Sequence, residues 1–157
     1  MLTIRSPAFA DHGPIPQRYT ADGANVSPPL EWAGVPAAAR SLALIVDDPD
    51  APDPRAPQRT WVHWVLYDIP AEARALGEDA ALSGLPPGTR SGLNDWRSAA
   101  YGGPAPPVGR HRYFHKLYAR DVMLPELGHP TKARVLAAMK GHVLAEAELV
   151  GTYQAGG

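Results

Sequence analysis

The sequence contains no cysteine. Disulfides, thiolate nucleophiles and every zinc site built on sulfur are thereby excluded. Net charge is nearly absent too: Lys plus Arg number 15 and Asp plus Glu 16, for a formal charge of −1. No general electrostatic grip on nucleic acid or acidic lipid is expected from that balance. The first residues, Met1-Leu-Thr-Ile-Arg-Ser6, lack a cationic stretch leading into an apolar run, and no run is long enough to span a bilayer. The expectation is a soluble, cytoplasmic protein with no membrane span. No internal repeat is present. Long uninterrupted helices are excluded by 15 glycines and 18 prolines in 157 residues. What remains is a chain that is 45% apolar and of single-domain length, taken as one domain over 1–157. A chain of this size buries roughly 70% of its unfolded surface, enough to fold without staples.

Three segments read as strands. Ser41 to Asp47 (SLALIVD) is almost continuously apolar, as a strand buried on both faces would be. Trp61 to Asp68 (WVHWVLYD) and Tyr113 to Arg120 (YFHKLYAR) are rich in aromatic and β-branched residues. Ala145 to Tyr153 can close the sheet. The clearest helix starts near Pro130 or Thr131 and ends at Lys140, with Gly141 just beyond it and Val135, Leu136 and Met139 as its apolar stripe. Pro70 to Leu76 is expected as a short helix. Ser6 to Trp32, Asp48 to Pro57 and Gly84 to Gly109 are expected as proline- and glycine-rich loops. With no regular alternation of strand and long helix, the fold class is mostly β and antiparallel, with short peripheral helices and one helix near the C-terminus.

Polar residues at period two mark three places. Asp48 and Asp50, stiffened by Pro49 and Pro52, share a face if the chain is extended there, although Asp-Pro pairs also simply start turns. His63 would lie with Trp61, Val65 and Tyr67 on one strand face; a lone histidine in such a strand is more often a hydrogen-bonded core residue than a ligand. His111 and Tyr113 share a face at a strand mouth, and Arg112, pointing the other way, suits a structural ion pair. If the strand ends meet at one rim, Asp48, Asp50, His63, His111 and Tyr113 line one pocket.

Five blocks carry a resemblance: NVSPPLEW (Asn25 to Trp32), DDPDAP (Asp47 to Pro52), WVHWVLYDIP (Trp61 to Pro70), YGGPAPP (Tyr101 to Pro107) followed by HRY (His111 to Tyr113), and GHVLAEAELVGTY (Gly141 to Tyr153). In this order, over nearly the whole chain, the sequence resembles the phosphatidylethanolamine-binding protein family and its bacterial Raf-kinase-inhibitor-like branch. The resemblance implies two antiparallel sheets with a Greek-key-like arrangement, a small anion-binding pocket and no cofactor. It matches Asp48, Asp50 and Pro52 to the family's DPD segment, Trp61 and His63 to its pocket tryptophan and histidine, Pro106 and Pro107 to its pocket prolines, and His111 and Tyr113 to its HRY segment. It also implies a homodimer and a regulatory, kinase-like protein partner. The sequence departs from the branch at Ala105, where relatives often carry cysteine, in the Trp96 to Tyr101 approach, and in a short Pro107 to His111 connection.

Two aspartates repel phosphate unless they orient histidines instead of touching the ligand. A carboxylate beside His63 or His111 favours the imidazolium, which donates to phosphate oxygens. The N–H groups of Gly102 and Gly103 could add an anion nest, and an ionised aspartate could meet the cationic end of a zwitterion. Phosphate affinity is then expected to fall as pH rises through the histidine range. The expected function is thus binding of phosphate or a phospholipid headgroup such as phosphoethanolamine, without catalysis. Two alternatives stand beside it. One is a metal-dependent hydrolase using Asp48, Asp50, His63 and His111, although no HExxH-like spacing is present; the other is an interaction module with a vestigial pocket. A serine hydrolase lacks its GxSxG elbow.

Overall fold

The computed structural model describes residues 1–155, so the expected domain end at Gly157 lies outside the described residues. The elements in chain order are β1 (Thr3–Arg5), β2 (Gly13–Pro14), a single 3-10 turn (Gln17–Tyr19), β3 (Leu30–Ala33), β4 (Ser41–Ala51), β5 (Arg59–Pro70), β6 (Ala75–Leu76), α1 (Ala80–Ser83), β7 (Arg90–Ser91), β8 (Arg110–Arg120), α2 (Lys132–Met139) and β9 (Val143–Gln154).

The apolar run at 41–47 takes the centre of the larger sheet, whose order is β2-β9-β8-β4-β5-β7. There Leu42, Leu44 and Ile45 lose all contact with solvent. Burying each such side chain contributes roughly 1.5–3 kcal/mol. β8 follows β5 in the chain after a long connection, yet pairs with β4 along seven residues. This return across the first hairpin is the Greek-key-like step that the resemblance implies. β1, β3 and β6 form a second, three-stranded sheet. Its Ile4, Leu30, Trp32 and Leu76 pack on Leu44, Val46, Trp64, Leu66 and Leu117 of the larger sheet, which makes the main core. The opposite face of the larger sheet is covered by α2 through Val135 and Met139, against Ala43, Val62, Val65 and Tyr67. Pairing is antiparallel except where Gly13–Pro14 runs parallel to Gly151–Thr152.

The expected helix at α2 is present, capped by the Thr131 side chain, which accepts the Arg134 N–H, and followed by Gly141 at φ +84°. The expected helix over Pro70–Leu76 is not. Ala75 and Leu76 pair with Glu31 and Leu30, and the helical turn falls at Ala80–Ser83 instead. An alanine-rich segment has been drawn into a strand because Leu76 buries its side chain there, only 2% exposed. The loop expected from Asp48 is also shorter than anticipated: β4 runs on to Ala51, with Pro49 tolerated at an irregularity between Asp48 and Ala51.

Candidate functional site

The site forms where β4, β5 and β8 end together, beneath the loop 94–107. Two strand irregularities decide which side chains reach it. Val46 pairs with Trp64, but Asp47 pairs with Val62, so β5 holds one extra residue at His63. Such a bulge reverses the facing of everything beyond it. Trp61 and His63 therefore share a face with Trp64 and Leu66, while Val65 and Tyr67 turn to the α2 side. The expected face of Trp61, His63, Val65 and Tyr67 is corrected accordingly.

The second irregularity separates the two aspartates. Asp48 turns to the cavity side, where its Oδ2 meets His111 Nδ1 at 2.6 Å and its Oδ1 accepts the Asp50 N–H at 2.7 Å. Asp50 turns to the other face. There it takes the Arg112 guanidinium in a fork, Nε–Oδ2 3.0 Å and Nη2–Oδ1 2.9 Å, and also accepts the Arg112 N–H. The fork holds the Asp50 carboxyl below its usual range, against the opposing effect of its burial. Arg112 is thus the structural ion pair that alternation predicts, and the shared face expected for Asp48 and Asp50 is not formed. Asp47, preceding them, also faces away from the cavity and pairs with Lys132 at 2.6 Å and Lys116 at 3.3 Å.

His111 is fully committed. Its Nε2 lies 2.8 Å from the Val108 carbonyl and 3.1 Å from that of Pro52. Carbonyls only accept, so Nε2 carries a proton. A second proton must then lie between Nδ1 and the Asp48 carboxylate, because a lone pair facing an oxyanion at that distance is repulsive. Wherever that proton rests, the pair carries no net charge.

His63 behaves differently. Its Nδ1 donates to the Gly102 carbonyl at 2.7 Å. Burial pushes its pKa down, outweighing the opposing pull of that hydrogen bond and of Asp48. The neutral ring then leaves Nε2 as an acceptor. The imidazolium expected for a histidine beside an aspartate therefore does not apply to His63. Nor is the glycine nest available, because the Gly102 N–H donates to the His63 carbonyl and the Gly103 N–H to Asn25 Oδ1.

Around these groups lies a cavity of about 260 Å³. Of the residues singled out from sequence, Asp48, Pro52, Trp61, His63, Pro106, Pro107, His111 and Tyr113 line it, and Asp50 does not. Two lining residues carry buried polar atoms without a protein partner among the described residues, Trp61 Nε1 and the Tyr113 hydroxyl. Burial raises the Tyr113 pKa, with Asp48 adding to the effect, so the phenol keeps its proton. Sequence reasoning missed Arg59 and Trp96 in the lining. Arg59 had a signal: it continues the period of Trp61 and His63 by one step. Trp96 had only its place at the head of the Trp96 to Tyr101 approach, where the sequence departs from its branch. It arrives because Asn94 organises the turn, its Oδ1 accepting the N–H groups of Trp96 and Ser98. Its ring stands edge-on to Trp61 and His63, with centroids 5.5 and 5.0 Å apart.

No group of three or more His, Asp or Glu side chains with metal-holding geometry occurs among the described residues. No helix among them is long and apolar enough to cross a membrane.

Comparison with known proteins places this arrangement. The family model described as phosphatidylethanolamine-binding protein matches residues 5–154. A UPF0098 protein of Methanothermobacter thermautotrophicus is 49% identical over 99% of this chain and 100% of its own length. One from Chlamydia pneumoniae is 43% identical over 98% and 99%. Among solved structures, the putative phosphatidylethanolamine-binding protein homolog CT736 of Chlamydia trachomatis superposes with a TM-score of 0.89 at 38% identity, covering 98% of this chain and 97% of that one. Escherichia coli YbcL, described as a member of the mammalian family, superposes with a TM-score of 0.88 at 29% identity, covering 98% of both chains. With the family model, the relatives and the fold in agreement over nearly its whole length, this chain belongs to the phosphatidylethanolamine-binding protein family.

Proposed function

We propose that the cavity binds a small phosphate-bearing zwitterion, with phosphoethanolamine as its simplest form, and that the protein acts by binding and not by catalysis. The observation that carries this reading is the charge left at the lining. The Asp48–His111 pair is neutral as a unit, Asp50 is neutralised on the far face, and His63 is uncharged. Arg59 then remains as the lining cation, with no ion-pair partner among the described residues. Beside it, Trp61 Nε1 and the Tyr113 hydroxyl can donate to phosphate oxygens. The ammonium end has two complements, His63 Nε2 as an acceptor and the faces of Trp61 and Trp96 for cation–π attraction. A cavity of 260 Å³ also lies below the range of about 300–1,000 Å³ typical of drug-sized ligands, in keeping with a headgroup-sized occupant.

The hydrolase alternative loses its ligand set, since Asp50 faces away and both His111 nitrogens already have partners. A regulatory role through a kinase-like partner or a second copy is compatible with headgroup binding, with cavity occupancy as the signal; the binding reading does not depend on it. The pH dependence expected from the sequence is modified: the share carried by His63 moves to the acid side of its ordinary value of 6.5. Calorimetric titration tests the reading with O-phosphoethanolamine, inorganic phosphate and ethanolamine. The zwitterion should bind more tightly than either fragment, and Arg59→Gln should weaken it about tenfold. Equal binding of ethanolamine alone, or an unchanged affinity in the Arg59 variant, would refute it.

A further inference from the structure

Trp96 has two sides, and only one faces the cavity just described. On the other lies a groove of about 330 Å³, whose lining includes Ala21, Asn25, Asn94, Ser98 and Tyr101 and which shares Trp96 and Ala105 with the cavity. Trp96, a residue 46% exposed, lines both spaces and stands between them. It does not stand there loosely. Asn94 pins the turn that presents it, and Arg97 adopts the left-handed φ of +59° that the turn requires. Gly102 backs the ring so closely that any Cβ at that position would collide with it. At the shared edge stands Ala105, whose small side chain leaves the two spaces adjoining.

The chemistry of the groove differs from that of the cavity. Its lining holds no Asp, Glu, Lys, Arg or His. The Asn25 side-chain oxygen accepts the Gly103 N–H, which leaves its Nδ2 as a donor. Ser98 Oγ accepts from the Ala100 N–H and retains its own proton. Uncharged amide and hydroxyl donors beside an anion site suit a neutral polyol.

We infer that the binding site extends past Trp96, with the phosphate and ammonium held in the cavity and a hydroxyl-rich second substituent of the same phosphate, a glycerol or a sugar, held in the groove. This rests on the headgroup reading above. It names the ligand class as a water-soluble phosphodiester with free hydroxyls. A diacyl lipid carries fatty esters where those hydroxyls would be, with no hydroxyl to donate, and its two acyl chains exceed a groove of about 330 Å³.

The test compares two diesters of equal charge, glycerophosphoethanolamine and the methyl ester of phosphoethanolamine, by calorimetry against wild-type protein. The glycerol form should bind about tenfold more tightly, the gain expected from two modest hydrogen bonds. Ser98→Leu and Ala21→Leu fill the groove from residues that do not line the cavity. Both should retain the methyl ester's affinity, which also reports that they fold, and lose the glycerol advantage. Sedimentation with vesicles of dioleoylphosphatidylethanolamine in phosphatidylcholine should show no comparable binding. Equal affinity of the two diesters in wild type overturns the extension while leaving the headgroup reading intact, as does an advantage that survives both groove-filling variants. Vesicle binding as tight as that of the soluble diester assigns the site to lipid and overturns the choice of ligand. Failure of the methyl ester itself to bind refutes the headgroup reading, and the extension with it.

Discussion

Three aspartates follow one another at the end of β4, all buried, and the sheet divides them between its two faces. On the α2 side, Asp47 and Asp50 meet lysine and arginine in ion pairs. On the cavity side, Asp48 meets an imidazole. The first arrangement settles its charge permanently, and such a carboxylate can only hold strands together. The second shares a proton at the wall of a cavity, as a pair without net charge. The same residue type, within four positions, is scaffold on one face and candidate site on the other.

The largest effect should come from a histidine on the cavity-side face that lacks a carboxylate. His115, four residues beyond His111 on β8, has the carbonyls of Tyr113 and Leu149 as its hydrogen-bond partners among the described residues, and burial pushes its pKa down to about 4. The unfolded chain takes up a proton near pH 6.5 that the native ring refuses. Stability is therefore full above that pH and falls as pH drops toward 4, by up to about 3 kcal/mol. Urea denaturation across this window should show the slope, and His115→Asn should flatten it; a slope that persists in the variant would assign it elsewhere.

Removing the cavity-side carboxylate comes next. Asp48→Ala should raise the Kd for O-phosphoethanolamine about 100-fold, since it leaves His111 without its buried partner. Asp50→Asn should do the reverse: stability falls by about 2 kcal/mol with the loss of the charged fork, while Kd moves less than threefold. Because the Asp50 carboxyl titrates below its ordinary 3.8, its contribution is complete above that pH and disappears as pH falls through the depressed value. Acid denaturation midpoints of the two proteins should converge there. The smallest effect is expected at Tyr113→Phe. Its buried hydroxyl has no protein partner among the described residues, so deletion should leave the ligand-free protein equally stable or about 1 kcal/mol more stable, while weakening ligand binding severalfold. Thermal melts with and without O-phosphoethanolamine separate the two.

The sequence was most legible where one physical demand dominated. The apolar run at Leu42–Val46 could only be a central strand, and Thr131 with Gly141 bracketed α2. Asp48, His63, His111 and Tyr113 were legible through period two, and Pro52, Trp61, Pro106 and Pro107 through the family resemblance. Period two failed at Asp50 and at Val65 and Tyr67 because each lies beyond an inserted residue, and a bulge leaves little mark on side-chain composition. Trp96 was illegible for another reason. Its place depends on the Asn94 side chain bonding the turn around it, which local alternation does not encode. Leu76 was misread because helix-forming neighbours outweighed the pairing with β3.

The most direct test of the division between the two faces follows the six histidine ring signals by NMR while O-phosphoethanolamine is added to wild type, Asp48→Ala and Asp50→Asn. His63 and His111 should move in wild type while the other four hold still; Asp50→Asn should preserve this pattern and Asp48→Ala abolish it. Movement that survives Asp48→Ala and vanishes in Asp50→Asn would place the working carboxylate on the other face and contradict the account.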